Sequence, residues 1–215
     1  MAKDNKGLIL VAAAAAGILL LSRRGDDGPG LTIHDRRKFG DPDSTFGSMT
    51  PDGVTLHAMS FSRGDDLDAY DGVHAHYIIT HPSGNVVQLH DTNVRAKNAF
   101  DFPDSIQIEF AGNFPSTAGR WWEGDKYGRD VPTAAQVSSG RRLLEYLQAN
   151  VIQGRPTISA HRMSNPQRGN DPGPGIWSGV GKYAVQSLGW GLAPTAAGGS
   201  SLPESWWEDE NIPRS

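Results

Sequence analysis

The feature that most constrains the fold of this 215-residue chain is a set of short segments that alternate apolar and polar residues. The segment SIQIEF at 105–110 is the clearest, and it predicts a β-strand whose isoleucines and phenylalanine face a core, while Gln107 and Glu109 point outward. Val54–His57 alternates in the same way and predicts a second strand, with His57 on the face away from the core. These strands predict a sheet with one apolar face.

One long segment has helical periodicity. Thr133–Asn150 follows a proline, and Thr133 with Gln136 matches a capping box at its start. Its valine and leucines recur at helical spacing. Three further strands and a final helix are predicted at His76–Thr80, Val86–His90, Pro156–Ala160 and Ile176–Trp190. Together these elements predict an α/β fold in which a single mixed central sheet is flanked by helices.

The N-terminal segment contains an apolar run that predicts contact with a lipid membrane. Gly7–Leu21 has 15 uncharged residues, with Lys6 before it and Arg23 after it. A bilayer span usually needs about 20 apolar residues, but flanking basic side chains can extend to the interface. We predict an uncleaved membrane-anchor helix within residues 1–24. A cleaved signal peptide and a buried or virion-embedded helix remain open, although the sequence after the run is a poor cleavage site.

Composition divides the rest of the chain and excludes several functions. Residues 25–51 are rich in Gly, Asp and Pro and predict a linker or an irregular collar. Residues 52–190 predict a folded domain, and residues 191–215 a tail. The net charge of −4 argues against a broad nucleic-acid-binding surface. Because the chain has no cysteine, disulfides, thiol nucleophiles and cysteine-ligated metals are excluded. A metal site would have to use His, Asp or Glu.

Three side chains of metal-ligand type follow predicted strands or loops. His57 and His161 each close a strand, and Asp171 lies in a loop rich in Gly and Pro. Two imidazoles and one carboxylate can hold a catalytic zinc ion with a fourth position left for water. No local motif links the three residues, so ordinary hydrogen-bonded side chains remain the alternative interpretation.

The order of the segments carries a resemblance to a known family. The strand SIQIEFAGNF at 105–114, the Pro-Thr-x-x-Gln helix start at 132–136, and His161 followed by Asp171-Pro-Gly-Pro come in this order after the His57 strand. This succession resembles the zinc-dependent N-acetylmuramoyl-L-alanine amidases of the amidase-2 type. That family includes phage lysozyme-amidases and relatives of the peptidoglycan recognition proteins. The resemblance covers residues 52–190, and it implies an amidase-2-like fold.

The resemblance also implies an activity and its residues. The family's zinc ligands fall on His57, His161 and Asp171, and its catalytic glutamate falls on Glu109. The implied reaction is hydrolysis of the amide between N-acetylmuramic acid and the L-alanine of the peptidoglycan stem peptide. With the predicted anchor, this implies a membrane-tethered wall hydrolase at a virion membrane or at the periplasmic face of a bacterial inner membrane. Phage lysis and bacterial wall remodelling both fit, and secretion through a signal peptide is the alternative.

Three positions depart from the family pattern. Some members have a tyrosine just before the hairpin strand, where this chain has Ala75. Many members have a lysine two residues before the ligand aspartate, where this chain has Gly169, preceded by Arg168. The family's His-Ala pair falls on Lys97. Lys97 and Arg168 are therefore candidates for the cation that stabilises the tetrahedral intermediate. The departures leave open a peptidoglycan-binding module that has lost turnover, and a structural membrane-anchored virion protein on the same fold.

Other polar and aromatic residues allow two interpretations each. The histidines near the predicted hairpin either line a groove or are plain polar positions on exposed strands: His74, His76, His81 and His90. Trp121 and Trp122 either stack on sugars or pin their own loop. Trp206 and Trp207 are predicted to hold the tail against the domain or a partner.

Overall fold

The structure of the protein, a computed structural model, describes residues 18–20, 30–98 and 101–208. The strands are β1 (Ile18–Leu20), β2 (Thr32–Asp35), β3 (Thr45–Ser48), β4 (Gly53–Ala58), β5 (Tyr77–Ile79), β6 (Val86–Gln88), β7 (Val94–Ala96), β8 (Ser105–Phe110), β9 (Thr157–Ala160) and β10 (Gly191–Leu192). The α-helices are α1 (Gly124–Tyr127), α2 (Ala134–Asn150), α3 (Pro174–Ile176) and α4 (Lys182–Gln186). A π-helical turn, Trp177–Gly181, joins α3 to α4.

The described strands form a mixed sheet of eight strands and a separate ribbon of two. The order in the large sheet is β1-β2-β6-β5-β8-β4-β9-β10, and β3 pairs with β7. The central strands β5, β8, β4 and β9 run parallel to one another. β5 and β6 form the predicted antiparallel hairpin. The prediction of a mixed central sheet with flanking helices is confirmed.

Helix α2 covers one face of the sheet. The predicted capping box is present, because Thr133 Oγ1 accepts from Gln136 N at 3.1 Å and Gln136 Oε1 accepts from Thr133 N at 3.2 Å. The predicted apolar residues of α2 are buried, and they pack on the isoleucines and phenylalanine of β8. A Cβ on Gly140 would lie 2.9 Å from Phe110 Cζ, so glycine allows the helix to approach the sheet closely.

The opposite face of the central strands is also buried, which corrects the prediction that Gln107 and Glu109 point outward to solvent. The alternation assigned the two faces correctly, but all six residues of β8 are buried, and so is His57 on β4. Parallel strands in the middle of a sheet are commonly covered on both faces. The polar residues on this face therefore sit in a low-dielectric interior, where each needs a hydrogen-bonding partner.

The segments predicted as a linker and a tail pack against the domain where they are described. β2 pairs in parallel with β6, and β3 joins the two-stranded ribbon, so residues 30–51 are not an unstructured connection. β10 extends the sheet beside β9, and Trp206 is fully buried. Trp206 therefore fastens the C-terminal segment to the domain, as one of the two interpretations proposed. Gly and Pro here shape ordered irregular backbone, which composition does not distinguish from a linker.

Only part of the predicted membrane anchor is described. Residues 1–17 and 21–29 lie outside the described residues. Ile18–Leu20, which the prediction placed in a helix, instead pair antiparallel with β2. Without this pairing β2 would be an edge strand with unpaired backbone groups, which β1 satisfies. Within the described part of the chain, no helix has the length and apolar character needed to cross a bilayer.

Candidate metal centre

Three central strands bring Glu109, His57 and His161 into one row. β4 and β8 pair in register, with His57 opposite Glu109. β4 and β9 pair with Leu56 opposite Ala160, so His161, the next residue, lies beside His57. Both histidines are buried, and Glu109 is about nine-tenths buried. The row lies at the carboxyl ends of parallel strands, which is where open α/β sheets commonly bind ligands.

Asp171 reaches the row through a loop that folds back on the turn containing His161. Arg162 N donates to the Asp171 carbonyl oxygen at 3.1 Å and holds the loop in place. The carboxylate then bridges β4 and the turn that follows β9, because Oδ1 accepts from Ala58 N at 2.8 Å and Oδ2 lies 2.9 Å from His161 Nδ1. The structure thus brings together three residues that are distant in sequence, as the resemblance implied.

The three side chains fit a metal ion. One potential ligand atom from each of His57, His161 and Asp171 lies within 4.8 Å of the other two. The imidazole rings meet edge to face, with centroids 4.4 Å apart. His57 Nδ1 is fully buried, and no described residue hydrogen-bonds to it. A buried nitrogen of this kind is costly unless a ligand occupies it. Two imidazoles and a carboxylate are a donor set typical of catalytic zinc sites.

Burial shifts the protonation of two members of the row. Burial, and secondarily the charge of a protonated His161, lowers the pKa of His57 to about 3, so this imidazole is neutral near pH 7. Burial, with the negative charge of Asp171 added, raises the pKa of Glu109 to about 8. A cation bound between the ligands would oppose the second shift. A pKa near neutrality suits a residue that both accepts and returns a proton.

Glu109 is held through one carboxylate oxygen only. Asn98 Nδ2 donates to Glu109 Oε1 at 2.8 Å. Glu109 Oε2 is buried and has no hydrogen-bonding partner among the described residues. One oxygen is therefore fixed, and the other is left without a hydrogen bond in the interior.

The two candidate cations lie in different surroundings. Arg168 lines the same groove as Asp171. Its positive charge is the weakest influence on the pKa of His57 and of Glu109: it adds to the lowering of the first and only partly offsets the raising of the second by burial. Lys97 is exposed, and its ammonium donates to the Asp43 carbonyl oxygen at 2.5 Å. The next residue, Asn98, is the one that reaches Glu109. A catalytic role for either cation remains a prediction.

A groove of about 560 Å³ opens beside Asp171. Its lining includes aromatic and cationic side chains: Phe114, Arg120, Trp121, Trp122, Tyr127 and Arg168. A concave surface with aromatic walls and a few polar groups is a common form of ligand site. The groove extends from Asp171 to the long loop between β8 and α2.

Trp121 and Trp122 have different surroundings, and each fits one of the two roles predicted for the pair. Trp121 Nε1 donates to the Asp130 carbonyl oxygen at 2.8 Å and so pins the loop. Trp122 is 55% exposed, and its ring stacks on Tyr127 with centroids 4.6 Å apart. Trp121 thus has a structural contact, while Trp122 presents an aromatic face to the groove.

The hairpin histidines mostly have structural partners. His76 is buried between Val94 O, at 2.8 Å from Nε2, and Gln107 N, at 2.9 Å from Nδ1. His90 Nε2 lies 2.7 Å from Ser44 Oγ, and His81 Nε2 lies 3.1 Å from Val131 O. None of the four histidines lines the groove. The plain polar interpretation is therefore favoured, although His76 and His90 are buried rather than on exposed strands.

Sequence reasoning missed two residues that contact the row, Gln107 and Asn98. Gln107 lies two residues before Glu109, so strand alternation alone places the two side chains on one face. Gln107 Oε1 lies 2.7 Å from His57 Nε2, a contact that the strand register creates. Nothing in the sequence marks Asn98, because its contact with Glu109 depends on how the chain turns between β7 and β8.

Comparison with known structures identifies the same fold. A peptidoglycan recognition protein from Drosophila, PGRP-SD, aligns with a TM-score of 0.55 and 15% identity over 77% of this chain and 99% of that chain. Bumblebee PGRP-SA aligns with a TM-score of 0.53 and 14% identity over the same shares. Human PGRP-IBETAC, in complex with glycosamyl muramyl pentapeptide, aligns with a TM-score of 0.52 and 12% identity over 75% of this chain and 98% of that chain.

Comparison with family models assigns the chain. No curated protein sequence matches it. The model of the amidase-2 family, described as N-acetylmuramoyl-L-alanine amidase, matches residues 47–174. This span is more than half of the chain, and it contains every residue of the row together with Asp171 and Asn98. The chain therefore belongs to the amidase-2 family of N-acetylmuramoyl-L-alanine amidases.

Proposed function

We propose that the protein is a zinc-dependent peptidoglycan hydrolase that cleaves the amide between N-acetylmuramic acid and the L-alanine of the stem peptide. The observation that carries this proposal is the buried cluster of His57, His161 and Asp171 with Glu109 beside it. Family membership supports the reaction class. The human structure of the same fold, which holds a glycosamyl muramyl pentapeptide, supports the substrate class.

Each residue of the site has a separate role in the proposed reaction. His57, His161 and Asp171 would hold Zn²⁺, which when bound polarises a carbonyl and lowers the pKa of a coordinated water. Glu109, with its free Oε2, accepts a proton from the water whose oxygen attacks the amide carbon. As the carbon–nitrogen bond breaks, Glu109 returns this proton to the departing amino group of L-alanine. Asn98 holds the other oxygen of Glu109 during both transfers.

The groove accounts for substrate binding in this proposal. Trp122 and Tyr127 offer stacked aromatic faces of the kind that bind sugar rings. Arg168 is the candidate that stabilises the negative charge on the former carbonyl oxygen, because its charge already acts on the row. Lys97 remains the competing candidate from the sequence, although its ammonium is engaged with Asp43 O.

The products of digestion test the proposed activity. We expect purified sacculi treated with the protein to release new N-terminal L-alanine while their glycan strands stay intact. The measurement is the quantity of new amino termini and of new reducing sugars, with and without a chelator. A muramidase would generate new reducing ends instead. New reducing sugars without new N-terminal alanine would therefore contradict the amidase assignment.

A second candidate function is a peptidoglycan-binding module without turnover. The observation that favours it is the residue two positions before Asp171, which is Gly169 and offers no cation. Losing one electrostatic donor to the transition state typically costs about 100- to 1000-fold in rate. Sacculi that bind the zinc-loaded protein but give neither product would support this candidate.

We also propose, from the sequence alone, that residues 7–21 tether the protein to a membrane of a virion or a bacterial cell. Deleting residues 1–24 should move the protein from the detergent phase to the aqueous phase of a phase-separation extraction. The fold should persist, because every described core residue lies beyond residue 29, although the deletion also removes strand β1. Circular dichroism checks the fold. A full chain already in the aqueous phase would contradict the tether.

A further inference from the structure

A buried ladder of polar side chains runs across the three central strands beneath the candidate metal centre. Ser159 Oγ lies 2.8 Å from Thr55 Oγ1, which lies 2.6 Å from Ser105 Oγ. Gln107 Nε2 contacts Ser105 Oγ at 2.7 Å and Ser105 O at 2.8 Å. The ladder ends at His57, whose Nε2 lies 2.7 Å from Gln107 Oε1. All five side chains are buried.

The partners of Ser105 determine which atoms donate and which accept in the ladder. The Ser105 carbonyl oxygen can only accept, so the Gln107 atom facing it must be the amide nitrogen. The Ser105 hydroxyl donates to Phe102 O at 2.8 Å, so Ser105 Oγ accepts the second amide hydrogen of Gln107. Gln107 Oε1 is then left facing His57 Nε2. Because an amide oxygen has no proton to give, His57 Nε2 must donate.

The proton on Nε2 determines what His57 presents on its other side. A neutral imidazole carries one proton, and the proton on Nε2 leaves a bare lone pair on Nδ1. Nδ1 is the buried atom that has no hydrogen-bonding partner among the described residues. The opposite tautomer would bury an N–H at Nδ1 and set two acceptors, Nε2 and Oε1, against each other.

We propose that Gln107 is a positioning residue that selects the His57 tautomer in which Nδ1 is free to bind a metal ion. Ser105 alone holds the amide of Gln107 in a single orientation, through its carbonyl oxygen and its hydroxyl, and this amide orients the ring. The inference rests on the proposed function for the identity of the metal. The tautomer itself is a property of the metal-free protein.

The tautomer is measurable directly. Two-bond ¹H–¹⁵N NMR spectra of the metal-free 215-residue chain distinguish a protonated from a bare ring nitrogen, and we expect His57 to carry its proton on Nε2. Gln107→Met removes the acceptor at similar volume, so the tautomer preference should weaken or invert. Competition with a chromophoric chelator should show zinc binding about 10- to 100-fold weaker than in the wild type.

Two matched variants separate orientation from packing. Gln107→Glu keeps an acceptor for Nε2–H but has no amide hydrogens to donate to Ser105, so it should retain the tautomer while lowering thermal stability. Thr55→Val removes a hydroxyl from the same ladder at equal burial without touching His57, so it should lower thermal stability but leave the tautomer and zinc affinity unchanged.

Each result bears on the inference. A wild-type His57 with its proton on Nδ1 would overturn it, whether or not any variant folds. An unchanged tautomer and zinc affinity in Gln107→Met would overturn it as well. If the wild type shows the Nε2–H tautomer but binds no zinc, the proposed function fails while the orienting role of Gln107 stands.

Discussion

Replacing Glu109 with glutamine should lower amidase turnover by about 100- to 10,000-fold, which is the usual contribution of a general acid–base group. Glutamine has nearly the same shape as glutamate, but its amide cannot accept the proton of the attacking water. Asn98 can still hydrogen-bond to the side-chain oxygen of the variant. The zinc content should stay at one ion per chain, because Glu109 is not among the three ligand-type residues.

The thermal stability of Glu109→Gln shows whether the substitution disturbs folding. Glu109 is buried, and its raised pKa of about 8 reflects the cost of holding a charge there. A neutral glutamine avoids that cost, so the melting temperature of Glu109→Gln should not fall below that of the wild type. Loss of turnover can then be attributed to chemistry rather than to unfolding.

The measurement is the initial rate of N-terminal alanine release from sacculi, with zinc content determined on the same samples. Glu204→Gln is a matched control, because Glu204 is exposed on a short turn far along the chain from the row. It should keep wild-type turnover. A Glu109→Gln protein with turnover close to that of the wild type would remove Glu109 from the mechanism.

Sequence patterns predicted those elements of the fold that depend only on residues close together in the chain. The capping box and the repeated leucines of α2 need only neighbouring residues, and the alternation in β8 assigned each side chain to the correct face. The same alternation was wrong about exposure, because the cover over the second face comes from segments far away in sequence. Composition did not decide between a linker and an ordered collar for residues 30–51, since Gly and Pro occur in ordered loops as well as in linkers.

In the candidate site, too, residues with a signal in the sequence were predicted and residues that act through tertiary contacts were not. His57 and His161 were recognisable because each ends a strand, and the family resemblance added Asp171 and Glu109. Gln107 and Asn98 act through contacts between strands and loops, so their partners depend on register and on tertiary structure. A single sequence contains the alternation that puts Gln107 on the same face as Glu109, but it does not contain the pairing that brings Gln107 to His57.

Replacing His161 with alanine should remove the zinc ion and reduce turnover to background. His161 is buried beside His57 and Asp171. Neither neighbour can move into its place without losing a hydrogen bond, which His57 makes to Gln107 and Asp171 accepts from Ala58 N. Two remaining ligands are fewer than the three protein ligands of typical catalytic zinc sites. The change should therefore lower zinc content from about one ion per chain to nearly none.

Thermal denaturation links this loss to the folded structure. A ligand that binds only the folded state stabilises it in proportion to the logarithm of its concentration over Kd. The melting temperature of the wild type should fall when a chelator is added, whereas that of His161→Ala should not respond to chelator or to added zinc. His74→Ala is the matched control, because the His74 side chain is 52% exposed and lies outside the row. It should retain zinc, turnover and the chelator response.

Because His57 and His161 supply separate ligand atoms to one cluster, full zinc content in both His57→Ala and His161→Ala would show that the metal binds elsewhere.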